Sequence, residues 1–189
     1  FHFDPKGYKL VLLNSCVKHG LAGSAYNDRR KSCENVAAAI SKRHPEVKSL
    51  RDVNYELLDE VRGEVNEEDA LRAHYVIGEK ERVMMVSAAL ETEDYEEVGA
   101  KMYETHDGLS REYEVSCPEL DFLVDVARDC GVSGARMMGG GFGGCTINLV
   151  SQELYANFIE KARVSYQEKF GKAPIVIDVV IGDGARKLC

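Results

Sequence analysis

Residues 139–144 read Gly-Gly-Gly-Phe-Gly-Gly, five glycines in six positions, between the short apolar runs "ARMM" and "CTINLV". A backbone gives up that many Cβ atoms where it must turn through positive φ or come very close to something else. The residues C-terminal to the run decide the fold class. Gly139, Gly141 and Gly144 satisfy the G-x-G-x-x-G spacing of a dinucleotide loop, but such a loop opens a helix whose N-terminus holds the pyrophosphate. Here the next residues are β-branched and of strand length. The run therefore joins two strands, which argues against a dinucleotide-binding oxidoreductase. Two readings of it stay open. It is a turn that tolerates glycine, or a backbone that approaches a ligand or another domain with its N–H groups forming an anion nest.

Other segments supply the partners of those two strands. "YKLVLLNS" (8–15) is a nearly continuous apolar run, as in a strand buried on both faces. Over 24–44, Tyr26, Arg30, Cys33, Ala37 and Ile40 fall on one helical stripe, with Ser24 as N-cap and His44-Pro45 as the end. A helix is predicted at 54–62. The charged stretch from Glu67 to about Tyr113 keeps helical spacing and divides into two long helices near Thr92. Ile77, Met84 and Ala88 mark the stripe of the first, and Val98, Met102 and His106 that of the second. "SCPELDFLVDVARDCG" (116–131) opens with a capping box between Ser116 and Glu119, tolerates Pro118 in its first turn and ends at Gly131. A strand ending near Met138, a strand at 145–150, a helix at 153–170 and a strand at 175–181 complete the chain. Tyr155, Ile159, Ala162, Tyr166 and Phe170 share one face of that last helix. With the helical block at about 54–131 set aside as an insertion, the order is β, α, β, β, α, β. That is the α+β, split-βαβ or ferredoxin-like pattern. It predicts one antiparallel sheet with helices on one side.

Composition excludes several function classes. A formal net charge of -8 leaves no basic surface to meet nucleic-acid phosphates. The six cysteines show no CxxC spacing, so neither a zinc site nor a disulfide framework is expected and a reducing compartment is the default. No apolar run approaches the roughly 20 residues that span a bilayer, and no signal peptide is visible, so the expected location is the cytoplasm. His19 reads as a structural hydrogen-bonding residue. Of the adjacent Arg29 and Arg30, at most one can face a cleft, and a solvated or salt-bridged role is expected.

Several separated segments carry a resemblance. "RMMGGGFGGCTINLV" (136–150) resembles the third conserved motif of the GHMP small-molecule kinases. "EYEVSCPELDFLV" and "SCVKHGLAGSAYNDRR" are similar to segments of one branch of that family, the galactokinases, and "DGARKL" resembles their tail. The likeness runs from Tyr8 onward. It implies ATP-dependent, magnesium-dependent phosphorylation of the anomeric hydroxyl of α-D-galactose. The first strand matches a family segment downstream of the catalytic aspartate, and the sugar signature, phosphate loop, metal ligands and base are not among the motifs here. The resemblance therefore implies the C-terminal domain of a galactokinase, partnered by its own N-terminal domain. ATP and Mg2+ would be bound mainly by that absent portion, and this chain alone would be inactive. No catalytic residue or metal ligand is implied in this chain. Tyr26 is implied as a galactose contact. Gly139, Gly140, Gly141, Gly143 and Gly144 are implied to line the cleft near the nucleotide phosphates in a supporting role. Met138 stands where the family usually has Thr, which removes any hydrogen bond from that hydroxyl. A non-catalytic galactose sensor shares these motifs, and the residues immediately upstream of Phe1 would separate kinase from sensor; an N-acetylgalactosamine kinase is a third reading.

Overall fold

A computed structural model of the chain describes residues 5–17 and 22–182, without the side chains of 22–24. Four strands form one sheet: β1 (Tyr8–Asn14), β2 (Gly134–Met138), β3 (Cys145–Ser151) and β4 (Ile175–Asp178). Their order is β2-β3-β1-β4 and every pair is antiparallel. This is the split-βαβ sheet, with β3 inserted between the mutually parallel β1 and β2. β4 stops at Asp178, short of the expected residue 181, although the Val179 N–H still donates to the Leu10 carbonyl at 3.1 Å. Six helices accompany the sheet among the described residues: α1 (Ala22–Ser41), α2 (Tyr55–Val61), α3 (Glu67–Glu91), α4 (Tyr95–Arg111), α5 (Pro118–Asp129) and α6 (Gln152–Phe170).

The alternation of strand residues sorts the sheet into two faces. Val11 and Leu13 of β1, Ala135 of β2 and Val150 of β3 are fully enclosed beneath α5 and α6. Leu123, Val124 and Ala127 of α5 meet Phe158, Ala162 and Tyr166 of α6 over that face. Each such large side chain removed from water contributes about 1.5–3 kcal/mol. Ser151 caps α6 by accepting from the Leu154 N–H, and Gly171 at φ 73° ends it.

Packing exchanges the parts of two helices relative to the sequence reading. The frame helix beside α6 is α5, which the spacing had assigned to the insertion. The expected frame helix, α1, packs instead on α2 and α3, where Val36 and Ile40 join Leu58, Val61, Ala73 and Ile77 in a separate core. Periodicity tells which face a helix buries but not what it is buried against. The helices are also not confined to one side. Ala89 of α3 and Val98 of α4 cover Leu149 and Leu10 on the other face of the sheet. α1 begins at Ala22, so Ser24 lies inside it rather than capping it. Ser32, Val36 and Ile40 are buried and Cys33 and Ala37 of the predicted stripe pack beside them, but Arg30 and Tyr26 are exposed. In α3, Ile77 is buried but Met84 is 69% exposed.

α4 lies directly on the start of β2. A Cβ added at Gly99 would sit 2.0 Å from the Ser133 carbonyl oxygen, and one at Gly134 would sit 2.4 Å from the Gly99 Cα. No side chain fits at either position. A polar chain continues this contact. The Met137 N–H donates to His106 Nδ1 at 3.2 Å, and His106 Nε2 faces Asp121 Oδ1 at 3.3 Å. An Nδ1 that accepts leaves the proton on Nε2, so the neutral imidazole suffices. Ser110 and Ser116 donate to the same carboxylate at 3.0 and 2.5 Å. The predicted capping box is therefore absent: Cys117 is the N-cap of α5, without a side-chain cap bond, because the Ser116 hydroxyl is committed to Asp121. Both hydroxyls bond the carboxylate and neither bonds the imidazole, so the group ties α4, α5 and β2 together and has no nucleophile.

The tight α4–β2 contact can be tested by adding one methyl group. Gly99→Ala should cost about 1–3 kcal/mol in urea unfolding through overpacking. Gly63→Ala, with nothing within 4 Å of its added Cβ, should change stability by less than about 0.5 kcal/mol. Burial pushes the Asp121 carboxyl up, but hydrogen bonds from His106, Ser116 and Ser110 outweigh it and hold the group below its ordinary value. A depressed carboxylate contributes stability above the unfolded value of about 3.9, lost as pH falls through the lower folded value. Asp121→Asn should therefore lower the melting temperature at pH 7, and the gap to wild type should narrow below pH 4.

Candidate functional site

The run that joins β2 to β3 is two structures in six residues. Gly139, Gly141, Phe142, Gly143 and Gly144 have φ of 86°, 85°, 60°, 128° and 87°. A phenylalanine at positive φ is strained and needs its surroundings to hold it. Val115 supplies the hold. The Phe142 N–H donates to its carbonyl at 2.7 Å, and a Cβ on Gly141 would lie 2.3 Å from that same oxygen. A Cβ on Gly143 would lie 3.0 Å from the Val17 carbonyl. Gly139 and Gly140 differ: both are exposed, with nothing within 4 Å of an added Cβ. The second half of the run is braced and the first half is an open tip.

The brace extends into the core. The Ser15 N–H and hydroxyl both donate to the Gly144 carbonyl, at 2.9 and 2.8 Å. The Ser15 carbonyl accepts from the Tyr166 hydroxyl at 2.7 Å, so a fully buried α6 side chain fixes the end of β1 beside the loop. Val115 is positioned by the turn after α4, where its N–H donates to the Leu109 carbonyl at 2.9 Å and Glu114 takes φ 52°.

Arg29 of α1 locks that turn. Its Nε donates to the Tyr113 carbonyl at 3.0 Å, its Nη2 to the Glu114 carbonyl at 2.6 Å, and its guanidinium lies 5.6 Å from the centre of the Phe142 ring. Its side chain is only 13% exposed. Arg30 points to solvent and pairs with Glu34 at 2.7 Å. The two arginines diverge as adjacent helix residues must, and Arg29 is the inward one. Arg72 of α3 grips the same turn from behind, facing Glu114 at 3.4 Å and Ser32 at 2.9 Å.

Tyr26 sits one turn before Arg29 on α1 and is 60% exposed, so it is no core tyrosine. Burial first, then Cys33 and the adjacent Tyr26, pushes the Tyr113 hydroxyl well above the ordinary tyrosine range. Tyr26 is thus an accessible ring one helical turn from Arg29, whose guanidinium lies 5.6 Å from the centre of the Phe142 ring. Met138 is 37% exposed on the sheet face, outside the brace. His19 and the "DGARKL" tail lie outside the described residues. Sequence reasoning brought Tyr26 and the glycines into view but missed Ser15, Val115 and the bracing role of Arg29. Their contributions run through backbone carbonyls and contact across the fold, which no spacing encodes. Among the described residues no three His, Cys, Asp or Glu side chains cluster to hold a metal ion, and no helix is long and apolar enough to cross a membrane.

Comparison with known proteins agrees with this geometry. Residues 86–166 match the family model "GHMP kinases C terminal". Human galactokinase is 43% identical over 98% of this chain, and the galactokinase of Clostridium beijerinckii 40% identical over 96%. The matched region is 45% of the human protein and 47% of the clostridial one, so the chain spans about half the length of these relatives. Galactokinase from Lactococcus lactis, solved with galactose, superposes with a TM-score of 0.89 over 98% of this chain and 48% of that one, at 28% identity. Residues 86–166, the glycine run among them, thus fit the GHMP kinase C-terminal model, and the chain is similar along nearly its whole length to galactokinases about twice as long.

Proposed function

We propose that this chain is the C-terminal part of a galactokinase, which transfers the γ-phosphoryl group of ATP to the anomeric hydroxyl of α-D-galactose in the cytoplasm. The observation that carries the reading is the likeness to galactokinases over almost every residue, glycine run included. Phosphoryl transfer depends on positioning, charge neutralisation and a base for the attacking hydroxyl. The first two are shared tasks here. Tyr26 presents its phenol to the sugar, and the open tip at Gly139 and Gly140 lets a phosphate-bearing ligand come close to the backbone. The braced half, Gly141 to Gly144, keeps that tip in place. The magnesium ion, when bound, neutralises phosphate charge, and its ligands belong to the complementary N-terminal portion together with the base.

Two measurements test this. The purified 189-residue chain should fold and yet give no galactose-dependent ADP release in a coupled assay; turnover above background, with contaminating kinase excluded, would show that the transferring groups lie in this half. In the uninterrupted enzyme, Tyr26→Phe removes one hydrogen bond and keeps the ring. The loss should be about 0.5–1.5 kcal/mol, a few-fold to roughly tenfold in KM for galactose. A contact made equally in ground and transition states leaves kcat nearly unchanged, and KM for ATP should not move. Unchanged galactose kinetics would remove Tyr26 from the sugar site.

A further inference from the structure

The C-terminal end of α6 reaches the point where the chain leaves β1. Asn14 is the last residue of β1 paired on both sides, with Cys145 and Ile175. The next two carbonyls are each taken by a side chain from α6 or just beyond it. The Tyr166 hydroxyl donates to the Ser15 carbonyl at 2.7 Å, and Lys172 Nζ to the Cys16 carbonyl at 3.0 Å. Cys16 takes φ 57°, a conformation that a non-glycine residue keeps only where its surroundings impose it. Local bonds tighten the same turn: Asn14 Oδ1 accepts from the Cys16 N–H at 2.8 Å, and the Ser15 hydroxyl from the Val17 N–H at 3.3 Å. The segment so fixed then bears on the glycine run. Ser15 makes two bonds to the Gly144 carbonyl, and the Val17 carbonyl abuts Gly143.

Packing alone does not call for the Tyr166 hydroxyl. The ring is fully enclosed, with the Phe170 and Phe122 ring centres 4.7 and 6.3 Å away. Phenylalanine would fill that space without a buried polar group to satisfy. Burial holds the hydroxyl well above the ordinary tyrosine range, so it stays a donor. Being enclosed, it reaches no substrate itself, and its influence on the site passes through the Ser15 carbonyl. We infer that Tyr166, acting through Ser15, is a positioning residue for phosphoryl transfer: it fixes the Gly143–Gly144 end of the run, so that the open tip meets the phosphates at one place. This rests on the galactokinase reading. The sugar side is held independently. α1, which carries Tyr26, is fixed by Arg29 on the Tyr113 and Glu114 carbonyls and by its own core with α2 and α3. Loss of the Tyr166 hydroxyl therefore loosens the phosphate side alone. A displacement of about 1 Å at a reacting group costs up to about a hundredfold in rate. Losing one bond of the mount costs less, because Ser15 still holds Gly144.

Steady-state kinetics of the uninterrupted enzyme test this, run well below the lowest melting temperature of the variants. Tyr166→Phe should lower kcat about 3–10-fold, the worth of one hydrogen bond made to the transition-state geometry. KM for galactose should move by less than about twofold. Ser15→Ala keeps the N–H and carbonyl of residue 15 but loses the hydroxyl bond to Gly144, and should show the same split; it decides the matter if Tyr166→Phe does not fold. The double variant should lose less than the product of the two single losses, because both act along one path. Tyr155→Phe makes the same change on the same helix, at a hydroxyl bonded to Asp178 at 2.5 Å, and should leave both constants unchanged. A merely structural hydroxyl lowers the melting temperature of Tyr166→Phe and leaves kcat of the folded enzyme as it was. That result overturns the proposal, as does a galactose KM that rises as far as kcat falls. A wild-type enzyme that does not phosphorylate galactose removes the galactokinase reading and the proposal with it. Normal wild-type turnover with an unchanged kcat in Tyr166→Phe overturns the proposal alone.

Discussion

The carbonyl of Val115 is the mount of the glycine run. It accepts the Phe142 N–H at 2.7 Å and occupies the space that a Cβ on Gly141 would need. One contact thereby explains why position 141 lacks a side chain and why Phe142 can be held at φ 60°. The other supports converge on it. Arg29 fixes Tyr113 and Glu114 just before Val115, and the Ser116 hydroxyl bonds Asp121 just after it. Residues 113–116 are therefore pinned from α1, α4 and α5 before the glycine run is laid across them.

This arrangement accounts for a division of labour within the run. A site that approaches a ligand through its backbone needs an unencumbered stretch and a rigid mount. Gly139 and Gly140 provide the first. The mount is built from strained and close-packed residues, stabilised by the α5–α6 core through Tyr166 and Ser15. Local strain at such positions persists only where its surroundings over-determine it.

The strands were legible in the sequence because apolar runs of that length, flanked by breakers, have few alternatives. The antiparallel sheet and its four members were legible with them. The partition of the helices was not. α1 and α5 are both amphipathic, and only the tertiary contacts of Leu123, Val124 and Ala127 place α5 over the sheet. The Ser116 cap failed for a related reason: a local motif competes with a long-range acceptor, and the Asp121 carboxylate already held by His106 won. At the candidate site, the glycines announced themselves by composition and Tyr26 by resemblance. Arg29 and Arg30 are indistinguishable by type, and only the contact of α1 with the turn at Tyr113 and Glu114 decides between them. The exposure of Ile175 and Ile177 was hidden as well, since an apolar run marks a strand without saying which of its faces is covered.

If Val115 is the mount of the glycine run, the hydrogen exchange of single amides reports it directly. In the 189-residue chain, the Phe142 amide should exchange at least about a thousandfold more slowly than an unstructured amide, an opening free energy of about 4 kcal/mol. The Gly139 and Gly140 amides, on the open tip, should exchange near the unstructured rate under the same conditions. Exchange of Phe142 as fast as that of Gly140 would mean that the run is not anchored on Val115, and the account of a braced loop would fail.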